Sequence, residues 1–248
     1  MLKRRLFLLL AVLLPLLGFA QAKSVPYFSQ IGGTSKLDAD WTVYNVNGDE
    51  KTWINDASSS SNYSSITAVK VTAGAKYVYN TKADANDWLV SPAIHLEADK
   101  EYKVSFYVKT SGSFKESLRL AVANANTADA MATKSETLLD FPELTEKTFV
   151  KKSVVYVARE SGDYYFGLYE YSKKDLYNVF VTAFSVAENI TTPAPVTGLT
   201  ATEGANEAIT VDLKWTLPTK DEDGKDLTTP LTGVEVYRDG TLVKTLEG

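Results

Sequence analysis

Residues 102–109 alternate without a break: Tyr102, Val104, Phe106 and Val108 fall on one side, Lys103, Ser105, Tyr107 and Lys109 on the other. Successive strand side chains point to opposite faces, so a period of two over eight residues commits this stretch to a half-buried β-strand. Shorter runs rich in Val, Tyr, Phe and Thr, bounded by Gly, Ser, Asn or Asp, predict further strands at residues 41–46, 68–72, 76–79, 88–90, 118–123, 148–157, 163–171 and 178–186. Only "NANTADAMATKS", near residue 130, has room for a helical turn. No long amphipathic helix and no glycine-rich phosphate loop occurs. The expected class is all-β, with two packed antiparallel sheets.

The chain opens "MLKRRLFLLLAVLLPLLGFAQA". Three basic residues, an apolar run and the small residues Ala20-Gln21-Ala22 predict a secretory signal peptide over residues 1–22. The apolar run is short for a finished membrane span, so no span is expected after cleavage. Loss of the leader moves the net charge from −5 to about −8, which excludes a basic footprint for nucleic acid or an anionic membrane. There is no cysteine. Disulfide scaffolds, thiol catalysis and cysteine zinc sites are therefore out, and stability must come from buried apolar surface. The remaining 226 residues suffice for one or two domains.

A composition break at "ENITTPAPVTGLTATEG" marks a linker, since Pro193 and Pro195 donate no ladder hydrogen bonds and favour extended chain. Three more strand-like runs follow, at residues 208–215, 233–238 and 241–246. The last two flank Asp239-Gly240, a two-residue hairpin signal because both turn positions need positive φ.

Three stretches taken in order carry a resemblance: "VNGDEKTW" (residues 46–53), "DWLVSP" (87–92) with the "HLEADKEYKVSF" strand, and "GDYYFGLYEYSKKDLYNVFVTAFSV" (162–186). Together they resemble choice-of-anchor J modules and the cleaved adhesin domains of gingipain-type surface proteins, themselves similar to MAM-like jelly rolls. The resemblance implies a jelly-roll-like β-sandwich over residues 23–190. The tail, 191–248, is similar to the start of a fibronectin type III sandwich, with Trp215 and Tyr237 in its core. Such a sandwich needs about 100 residues, so the natural polypeptide is expected to continue into further domains.

Candidate chemistry is sparse. His95 is the sole histidine, and no G-x-S-x-G or H-E-x-x-H pattern surrounds it. A surface or strand-edge role is expected. With 31 Asp and Glu, carboxylate pairs of the glycosidase kind arise by chance and spacing selects none. Asn45, Asn47 and Asp49 alternate around Gly48, so hard oxygen ligands for calcium could converge there. The alternative is an Asx-rich turn. The resemblance implies calcium too, but with a more acidic loop and an Asp near the last strand, where this chain reads "VTAFSV". The acidic run "DEDGKD" (221–226) reads as a solvated loop, and "DASSSSNYSS" (56–65) as a flexible one. Along residues 163–171, Phe166 and Leu168 are expected in the core. Tyr165, Tyr169 and Tyr171 would stand together on the opposite face, as a ligand-binding row for a glycan or an extracellular protein, or else lie covered by other chain. Trp53 and Trp88 are expected in the core. The reading is a secreted or bacterial cell-surface, non-catalytic, adhesin-like module. Its alternatives are an accessory domain of a larger secreted hydrolase and a structural spacer.

Overall fold

The structure, a computed structural model, describes residues 21–58, 61–190, 192–204, 210–222, 224, 226–227 and 231–247. Most of the expected signal peptide, residues 1–20, lies outside them. The chain divides into two compact units, residues 1–188 and 189–248.

The first unit is two antiparallel sheets. One runs β10 (Val150–Val157), β7 (Glu101–Thr110), β12 (Asn178–Glu188), β4 (Gly74–Val78), β3 (Trp53–Asp56), with β1 (Tyr27–Ser29) beside the far half of β12. The other runs β2 (Thr42–Asn45), β5 (Asp87–Val90), β11 (Gly162–Glu170), β8 (Glu116–Ala123), β9 (Glu136–Leu144), with β6 (Ile94–Leu96) also on β11. One short helix, α1 (Ala128–Thr133), follows β8, and Thr127 caps its start through Ala130 N–H. Among the described residues no helix is long and apolar enough to cross a membrane.

The alternating face of β7 is buried as expected: Tyr102, Val104, Phe106 and Val108 join one core with Phe166 and Leu168 of β11. In β12 the parity changes, for Val179 and Val181 face the core and so do Phe184 and Val186. The register slips between Thr182 and Ser185, and Ala183 takes a left-handed φ of 51°. A bulge residue thus returns the strand to the same face. "DWLVSP" is a break in a strand: β5 and β6 both pair with β11, and Ser91 bridges the gap by bonds to both N and O of Phe166. The crossing to the other sheet comes after Leu96.

Residues 68–72 are not a strand; β4 begins at Gly74. Residues 59 and 60 of the serine-rich loop lie outside the described residues; its described part is pinned as well. Tyr63 is buried, stacks on Phe149 at 5.2 Å, and donates to Asp56 at 2.9 Å. With Ile66 and Val71 it plugs the outer face of the β12 sheet. In the first unit four strands escaped the sequence reading, β1, β3, β6 and β9. Three of them are only three or four residues long, and β9 carries Pro142.

In the second unit β13 (Thr197–Glu203) pairs with β14 (Val211–Thr216), and β15 (Gly233–Arg238) with β16 (Thr241–Glu247). Asp239 and Gly240 have φ of 52° and 78°, the left-handed pair their sequence demanded. Trp215 is half-buried, and Tyr237, Leu199, Val211 and Val243 are exposed. Residues 223 and 225 of the acidic run lie outside the described residues; Lys220 donates to Asp226 at 3.0 Å.

Candidate functional site

The outward face of the β11 sheet is built by register. Tyr44 of β2 stands opposite Trp88 of β5, Trp88 opposite Tyr169 of β11, Tyr169 opposite Arg119 of β8, and Arg119 opposite Asp140 of β9. Five strands thus contribute one side chain each to a straight row on one face. The next row is small, with Gly167 opposite Val90 and Ala121. The gap at Gly167 is filled by the Trp88 ring and by Met131 of α1, both close to where a Cβ would stand. Trp88 is consequently buried outside the main core, in a cluster of its own with Val90, Ala121, Ala123 and Met131.

Tyr165, Tyr169 and Tyr171 do share this face, each half-buried. Tyr169 stacks on Trp88 at 4.5 Å and on Tyr171 at 5.5 Å, and its hydroxyl donates to Asn86 at 3.0 Å. Tyr171 donates to Asp140 at 2.5 Å, with its phenol pKa pushed up to about 12 by burial and by that carboxylate. The Arg119 guanidinium lies 5.2 Å from the Tyr171 centroid and 5.9 Å from that of Tyr169, and donates to Asp140 at 3.4 Å. Its Nε is buried without a partner. Much of the Tyr169 ring face is therefore occupied by neighbours. What the row offers a ligand is ring edges, a guanidinium, a carboxylate and an amide. Tyr165 packs on the Trp88 cluster, toward the α1 side. Sequence reasoning missed Tyr44, Asn86, Arg119 and Asp140, because only strand register brings them together.

The structure also brings Asn45, Asn47 and Asp49 together, and Gly48 turns the loop with φ 64°. Their polar atoms, however, face one another. The Asp49 carboxylate accepts from Lys51 N–H at 2.7 Å, Asn80 Nδ2 at 2.9 Å and Asn47 Nδ2 at 3.0 Å. The Asn45 amide donates to the carbonyls of Asp49 and Lys51, leaving its Oδ1 without a partner, like the buried Oδ1 of Asp87 directly across in the β2–β5 register and Thr52 Oγ1. A calcium ion needs converging lone pairs, whereas this loop presents N–H donors to the Asp49 carboxylate. Within residues 181–186 the polar side chains are Thr182, whose hydroxyl donates to Ala73 O at 2.8 Å and Gln30 O at 3.2 Å, and Ser185, whose hydroxyl lies 2.9 Å from that of Ser105. Among the described residues no three His, Cys, Asp or Glu side chains form a metal-holding group. The Asp49 side of the loop is thus closed by N–H donors, and no chemistry is assigned to calcium.

His95 is an exposed strand-edge residue, its Nδ1 2.9 Å from Asp163 directly across the β6–β11 pair. Three carboxylates, Asp87, Glu116 and Glu170, are wholly buried between the sheets. Tyr177 N–H donates to Glu116 at 2.6 Å, Asn86 N–H to Asp87 at 3.1 Å, and the Ser172 hydroxyl to Glu170. Burial pushes all three pKa values up. A glycosidase pair must touch its substrate, and these groups are closed off from solvent.

The pattern of the Cleaved Adhesin Domain family matches residues 29–183. Among solved structures, the K1 cleaved adhesin domain of Lys-gingipain from Porphyromonas gingivalis W83 superposes with a TM-score of 0.50 at 14% identity, over 66% of this chain and 99% of that one. The K2 domain of Lys-gingipain gives 0.50 at 13% identity, over 66% and 99%. These likenesses carry the sandwich fold. No curated protein sequence matches.

Proposed function

We propose, from the premise that the chain belongs to the Cleaved Adhesin Domain family, that the outward face of its β11 sheet binds a glycan outside the cell. A domain of this family is a non-catalytic binding module. The observation that carries the reading is the Tyr44–Trp88–Tyr169–Arg119–Asp140 row, which fixes donors and acceptors of both signs on a rigid sheet. Sugar hydroxyls donate and accept at once, so a guanidinium beside a carboxylate and an amide matches neighbouring hydroxyls. The edges of Tyr169 and Tyr171, with Tyr165 nearby, cover sugar C–H surface. Because Tyr169, Tyr171 and Arg119 are already held by stacking and hydrogen bonds, little rotamer entropy is lost on binding. The leader expected at residues 1–22 supports the extracellular setting.

A glycan array probed with the full chain tests this. Saturable binding to at least one sugar class, lost in both Arg119→Ala and Tyr171→Ala, is expected. Binding untouched by either change, or saturable binding to matrix proteins with none to glycans, overturns it.

A further inference from the structure

Two strands close the open side of the sandwich, β9 at the rim of one sheet and β10 at the rim of the other. They are guarded differently. β9 carries Pro142, two register slips against β8, and the carboxylates Glu136, Asp140 and Glu143. Each is a device that discourages strand addition. β10 instead runs eight residues in unbroken register against β7, with its other edge unpaired among the described residues. Lys152 guards its first half, turned inward onto Glu146 and 4.9 Å from the Phe141 ring centroid. From Ser153 to Val157 there is no charge, proline or bulge. Val155 and Val157 are 44% and 46% exposed. Beside them a cavity of about 490 Å³ opens between the two rims, lined by Leu138, Val154, Tyr156, Glu136 and Arg159.

We propose that residues 153–157 are a docking edge for an extended polypeptide segment, which adds as one more strand beside β10. The free backbone N–H and C=O groups of that edge supply the pairing. Alternation then sends every second side chain of the added strand toward the cavity, where Leu138, Val154 and Tyr156 receive an apolar group. The others point to the outer face. There Lys151 and Lys103, the latter directly across from Val155, stand exposed and outside every described ion pair. Carboxylates complement them. The partner is thus an extended segment alternating apolar and acidic residues, engaged at a surface that shares no residue with the tyrosine–arginine row.

The test uses the full chain and a short fluorescein-labelled peptide of alternating valine and glutamate, followed by anisotropy and by amide hydrogen exchange. Saturable binding is expected, with exchange slowed at residues 153–157. Lys151→Glu, a surface change that keeps the fold, weakens it about fivefold, the size of an exposed attraction turned repulsive. Val155→Pro weakens it further, and Tyr171→Ala leaves it unchanged. No saturable binding, slowing confined to another edge, or occupation of β10 by a second copy of the chain, seen as a dimer in sedimentation, overturns the proposal.

Discussion

The rings of Trp88 and Tyr169 lie 4.5 Å apart and 23° from parallel, directly opposite in the β5–β11 register. Trp88 is buried and Tyr169 half-buried, so the pair anchors the proposed binding face to the sheet. Trp88→Ala should lower the unfolding free energy by about 3–5 kcal/mol, as removal of a buried aromatic does, read from urea midpoints. Tyr165→Ala, a half-buried ring on the same cluster without a described stack, should cost less, about 1–2 kcal/mol. Any loss of ligand affinity in that variant then reports on contact rather than folding.

Gly167 sits where Trp88 and Met131 meet. A Cβ there would stand 2.6 Å from Met131 Sδ and 2.7 Å from Trp88 Cε3. Gly167→Ala should therefore destabilise by about 1–3 kcal/mol through overpacking and shift α1 off the sheet. A lowered Tm together with a changed near-ultraviolet tryptophan signal checks it.

Asp87, Glu116 and Glu170 make stability depend on pH in an unusual direction. Burial raises their folded pKa values. Their stabilising contribution is full below the unfolded carboxyl value of about 4 and is lost as pH rises through the folded values. Asp84 works the opposite way, held below the usual range by Lys174 N–H and Lys173, so a variant must isolate the effect. Glu170→Gln keeps the acceptor for Ser172 and removes the titration. Its urea midpoint should exceed that of the parent at pH 8 and vary less between pH 4.5 and 8.

The loop at Asn45–Asp49 should not respond to calcium. Millimolar calcium is expected to leave the Tm of the full chain unchanged, because the Asp49 carboxylate already accepts three N–H groups. Asp49→Ala should lower stability by about 1–2 kcal/mol by leaving those donors unmet, with or without calcium. Differential scanning calorimetry reads both.

Strand alternation made the core of β7 and β11 readable in advance, since a period of two needs no knowledge of neighbours. It failed at β12, where the Ala183 bulge resets the phase, and at β9, where Pro142 and two register slips blur the pattern. The tyrosine row followed from the same alternation. Its partners did not, for Tyr44, Arg119 and Asp140 are separated widely in sequence and meet only through pairing across five strands. Trp88 was correctly expected to be buried, yet on the outward face beneath α1, a placement that depends on the gap at Gly167. The serine-rich loop looked mobile by composition; Tyr63, Ile66 and Val71 pin the described chain that follows it, from residue 61 onward.

Nothing probes the account more directly than an NMR titration of uniformly ¹⁵N-labelled protein with a glycan selected on the array. Amide shifts gathered around Asn86, Arg119, Asp140 and Tyr169–Tyr171 are predicted. Shifts confined to the Asn45–Asp49 loop, to His95 or to the second unit would contradict it.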